Sequence, residues 1–149
     1  VVPWADEGEP VDAELADAVR RAAATVGVRL VSAYLFGSRA EGRSHRESDI
    51  DVAVLLPGDQ TRDERGRFET RVALTSALIA ELHDNAVDLV LLNETPPHLA
   101  RRIVTRGRRI LCTDPDADRA FVRDVQLRAA DLEPFLRRAR ATKLRTMLQ

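Results

Sequence analysis

The sequence has little of several residues on which common functional sites depend. Its one cysteine, Cys112, excludes an internal disulfide. Following Ile110 and Leu111, it reads as a packing residue suited to a reducing cytoplasm. Aromatic residues make up 4% of the chain, so the core has to be built from Leu, Val, Ile and Ala. His83 and His98 have no cysteine or histidine at ligand spacing, which excludes a zinc site, and His45 sits in a polar stretch where solvation is the default. No apolar run approaches the ~20 residues needed to cross a bilayer. The opening VVPWADEGEP lacks the basic-then-apolar order of a signal peptide, so a cytoplasmic protein without a membrane segment is expected. Neither sign of charge prevails: the net charge is −1 and the pI is near 6.4, which argues against direct nucleic-acid binding. Asymmetry is local. Asp6 to Asp17 is mostly acidic, whereas Arg137 to Arg145 holds five Arg or Lys and no acid, a solvated face or a partner surface.

What is present suits one globular domain: 149 residues, 44% hydrophobic and 32% charged. Leu15, Ala18, Val19, Ala22 and Val26 recur at helical spacing over 12–26, with Gly27 as a stop. Residues 28–36 read as a strand running into Gly37-Ser38, and 50–56 as a second strand closed by Pro57-Gly58. A helix is expected over 62–82, a short buried strand over 87–92, and a helix opened by Pro96-Pro97 and closed by Gly107. Residues 109–112 suit a fourth strand. A last helical pattern covers about 117–147, with Asp114 or Asp116 as caps and Pro134 as a break or kink. The expected fold class is α/β (α+β), a small mixed sheet with flanking helices. A core at about 12–112 carries a C-terminal helical arm at about 115–149.

The chemistry concentrates in Phe36-Gly37-Ser38-Arg39-Ala40-Glu41-Gly42 and Ser48-Asp49-Ile50-Asp51-Val52. Asp49 and Asp51 are two apart at the start of an apolar strand, so both side chains leave one face. Adjacent carboxylates repel, and a hard divalent cation reverses that cost. Asp88 sits inside the apolar run Val87–Leu92 and completes a candidate metal triad. Gly37 lets the backbone approach a ligand, and the exposed N–H groups after it favour an anion. Ser38 supplies a hydroxyl donor and Arg39 a charge. Ser48 suits either the turn before the strand or the site itself.

This pattern, GSxAxG followed by SDxDxxV, resembles the nucleotidyltransferase fold shared by DNA polymerase β, kanamycin nucleotidyltransferase and the minimal nucleotidyltransferase (MNT) proteins, over about residues 28–112. The resemblance implies that Gly37 and Ser38 contact the β- and γ-phosphates of an NTP. It implies that Asp49 and Asp51 bind Mg²⁺, and that Asp88 helps to activate the attacking hydroxyl. One departure is Glu41, where many MNT proteins carry Arg or Lys; Arg39 and Arg43 flank it. The short length and helical tail are similar to those of MNT antitoxins, which implies AMP transfer from ATP to a tyrosine of a HEPN ribonuclease toxin as partner. Two other readings stand beside it: an antitoxin that neutralises by binding alone, and a small-molecule enzyme of the aminoglycoside type. The second lacks the extra domain such enzymes use to hold the drug.

Overall fold

A computed structural model describes residues 10–37, 40, 49–60 and 63–148. Among them are four strands and four α-helices in the order α1 (Pro10–Val26), β1 (Ser32–Phe36), β2 (Ile50–Leu55), α2 (Glu64–Leu82), β3 (Val87–Leu91), α3 (Pro97–Arg106), β4 (Arg108–Cys112) and α4 (Pro115–Met147). The strands form one sheet in the order β3-β2-β1-β4. β1 runs antiparallel to both β2 and β4, while β2 and β3 are parallel, as the helical crossover through α2 permits. The mixed sheet and its flanking helices match the expected fold class.

Side-chain alternation splits the core between the two faces of the sheet. Val52 and Val54 pack with Ala33 and Leu35 against Leu15, Val19 and Ala22 of α1 and Leu74 and Leu78 of α2. Tyr34, Ala53 and Leu55 face Ala100 and Ile103 of α3 and Val125 of α4. Asp63 caps α2 by accepting from the Gly66 N–H, and Asp114 caps α4 by accepting from Ala117 at 3.1 Å. Gly27 ends α1 in the left-handed region at φ 82° and donates its N–H to Ala23. Among the described residues no helix is long and apolar enough to cross a membrane.

Two expectations require correction. The strand expected over 28–36 begins only at Ser32. The Gln60 side chain accepts from the Arg29 N–H at 3.0 Å and donates to the Arg29 carbonyl at 3.0 Å, so the backbone at Arg29 is bound outside the ladder. Pro134 does not break the last helix, which continues to Met147. Pro134 is exposed and lies beyond Ala129, the last buried residue of α4, so the carbonyl deprived of its partner is solvated. Trp4 and the lead-in at 1–9 lie outside the described residues.

Candidate active site

The candidate site stands at the end of the sheet where β1 finishes and β2 and β3 begin. Along one rung, Phe36 of β1 pairs with Asp51 of β2, and Asp51 pairs with Asp88 of β3. Ile50 and Val52 point to the α1/α2 core, as Leu89 does on β3, so Asp51 and Asp88 take the α3/α4 face. Asp51 is half-buried; Asp88, on the edge strand, is exposed, and Asp49, one residue ahead of β2, is exposed as well. Two carboxylates on paired positions of adjacent parallel strands repel each other and favour a counter-ion between them.

Gly37 closes the rung from the other side. Its φ of 76° belongs to the left-handed region that favours glycine. A Cβ there would collide with the Asp51 Oδ2 and lie 3.1 Å from its Cγ, so the absence of a side chain allows the carboxylate to rest against the β1 terminus. Gly107 makes a similar allowance at the turn from α3 into β4. A Cβ would stand 2.8 Å from the Leu35 carbonyl oxygen and 3.4 Å from the Phe36 Cβ. These glycines let α3 close down on the end of β1, and a cleft of about 230 Å³ remains between them.

The sequence-derived set is therefore only partly brought together. Gly37, Asp51 and Asp88 share a sheet end with Asp49 at its rim. Ser38, Arg39 and Ser48 lie outside the described residues, as do Glu41, Arg43 and His45. Among the described residues no three acidic, histidine or cysteine side chains are already gathered closely enough to hold an ion. The donor set at the rung is all oxygen, which suits a hard cation such as Mg²⁺ rather than zinc.

Beneath the site lies a polar network that residue patterns did not reveal. The Tyr34 hydroxyl donates to Asp118 Oδ1 at 2.8 Å, and Arg109 donates to Asp118 Oδ2 at 2.6 Å. Asp118 is 2% exposed, and both its oxygens are bonded. Burial, reinforced by the bond to Asp118, pushes the Tyr34 phenol well above its ordinary range. Burial also raises the Cys112 thiol, which keeps it protonated and matches a packing role. The network fixes α4 to β1 and β4 and so sets the floor under the rung. Tyr34 is thus both a core residue and a hydrogen-bond anchor.

The family model described as polymerase beta, nucleotidyltransferase matches residues 26–116. The chain belongs to this family. The match takes in all four strands and both Asp49-x-Asp51 and Asp88. A curated relative, the protein adenylyltransferase MntA of Shewanella oneidensis, is 38% identical over 94 residues, which are 63% of this chain and 63% of that protein. The shared segment is thus less than two thirds of the relative's length. A chain in a crystal structure of a toxin–antitoxin with AMP-PNP is 28% identical, with a TM-score of 0.64 over 90% of this chain and 98% of that chain. A chain from a complex of tri-AMPylated Shewanella oneidensis HEPN toxin with its MNT antitoxin shares the fold at 24% identity, with a TM-score of 0.60 over 93% and 99% of the two chains.

Proposed function

We propose that this nucleotidyltransferase is a cytoplasmic antitoxin that transfers AMP from ATP to a tyrosine hydroxyl of a HEPN ribonuclease toxin. The observation that carries this reading is the pairing of Asp51 with Asp88 across β2 and β3, directly beside Gly37. It is supported by the likeness to a protein adenylyltransferase and to a toxin–antitoxin crystallised with AMP-PNP.

Asp49, Asp51 and Asp88 would hold Mg²⁺, which when bound neutralises phosphate charge and polarises the phosphorus under attack. The remaining work belongs to the chain. Gly37 and Ser38 present backbone N–H groups and a hydroxyl to the β- and γ-phosphates, with Arg39 adding charge and Ser48 a further hydroxyl. Asp88, exposed on the edge strand, meets the acceptor hydroxyl and takes its proton as the oxygen attacks the α-phosphorus. Past Leu136 every described residue of α4 is exposed, leaving an arm with Leu144, Met147 and Leu148 bare and the basic run 137–145 around them. That arm is the surface offered to the toxin.

Neutralisation in cells separates transfer from simple capping. Asp49→Asn/Asp51→Asn should still co-purify with the toxin yet fail to rescue growth. Full rescue by this variant would favour an antitoxin that acts by binding alone.

A further inference from the structure

The rung has a cleft on each flank. On the β3 side a cleft of about 270 Å³ is lined by Arg71, Val72, Thr75 and Ser76 together with Asp88. On the β1 side the cleft of about 230 Å³ is lined by Phe36, Gly37, Leu99, Arg102 and Arg106. Between residues 101 and 109 the chain places five arginines. Three are paired: Arg101 with Glu133 at 3.8 Å, Arg108 with Asp12 at 2.9 Å and Arg109 with Asp118 at 2.6 Å. Arg102 and Arg106 lie one helical turn apart on α3, line the cleft beside Gly37, and have no acidic partner among the described residues.

We infer that Arg102 and Arg106 hold the departing pyrophosphate of the nucleotide. In-line displacement places the attacking and leaving oxygens on opposite sides of the phosphorus. The acceptor oxygen bonds the α-phosphorus while the bond to the bridging oxygen breaks. Pyrophosphate leaves with that electron pair, and the acceptor's proton passes to Asp88. An acid that faces the acceptor repels a polyanion, so the leaving group has to depart along the opposite flank, past Gly37. Two guanidiniums without an acidic partner among the described residues meet it there in the fork geometry that suits phosphate oxygens. They also supply from α3 the cationic charge that the motif, with Glu41, does not supply at that position. The inference rests on nucleotidyl transfer at this rung and is independent of which acceptor is used.

The test is titration calorimetry of the full chain with Mg²⁺ and three probes: ATP, inorganic pyrophosphate and AMP. Arg102→Ala/Arg106→Ala should weaken ATP and pyrophosphate at least about tenfold and leave AMP unchanged. Its thermal midpoint should not move, because both side chains are exposed. Restoring charge with Arg102→Lys/Arg106→Lys should recover part of the affinity. Unchanged pyrophosphate binding overturns the assignment, as does an equal loss for AMP, which would seat the nucleoside in this cleft instead. A wild-type chain that binds none of the three probes would remove the nucleotidyl-transfer reading as well, an outcome distinct from failure of the arginines alone.

Discussion

Asp51 depends on what its neighbours leave out. Gly37→Ala forces an L side chain into the left-handed region, at about 1–2 kcal/mol, and drives a methyl into the Asp51 carboxylate. We expect a lower melting midpoint together with at least about a tenfold loss of AMP transfer; a variant with unaltered turnover would show that Asp51 need not rest against β1. Tyr34 gives a second prediction. Its neutral phenol is favoured in the fold, so the group's contribution is complete below its ordinary value of 10.0 and is lost as pH climbs from there towards the folded value. Tyr34→Phe should cost about 1–3 kcal/mol at neutral pH, through the Asp118 oxygen left with no donor, and should flatten the stability loss above pH 10. Urea midpoints measured across pH would check both parts. An unchanged alkaline slope would place that loss elsewhere.

At the scale of elements, α4 divides at the end of its contacts. Val125 and Ala129 are buried, whereas every described residue after Leu136 is exposed. Truncation after Leu136 should therefore move stability by no more than about 0.5 kcal/mol. Nucleotide binding should persist while toxin affinity falls at least about tenfold. Pull-down alongside thermal melting would check this, and undiminished toxin binding would put the partner surface elsewhere. How far the elements were legible follows from what defines them. Leu15, Val19 and Ala22 declare α1 through their spacing, and Asp88 stands out as an acid in an apolar strand. The start of β1 could not be read, because Val28 to Val31 is as apolar as the strand proper, and its backbone is bound by residues far away in sequence, Gln60 at Arg29 and Thr113 at Leu30 and Val31. Asp118 was hidden for a similar reason. An acid in the first turn of a helix looks like complement to the helix dipole, and its partners are 84 and 9 residues away. Arg102 and Arg106 carried a usable signal, helical spacing after the Pro97 start, but that they have no acidic partner among the described residues is a fact of three dimensions.

For the molecule as a whole, two core faces, two glycines and the buried Tyr34–Asp118–Arg109 network hold one end of the sheet in place, so that acids from two strands stand side by side. The same body carries a bare helix at its C-terminal side, and the proposed function asks both parts to engage one partner: α4 to hold the toxin and the rung to modify it. The direct measurement is the intact mass of the HEPN toxin after incubation with this protein, ATP and Mg²⁺. The account predicts a gain of one or more AMP units, mapped to tyrosine and absent with Asp49→Asn/Asp51→Asn. An unmodified toxin, in a complex that forms equally well with that variant, would contradict it.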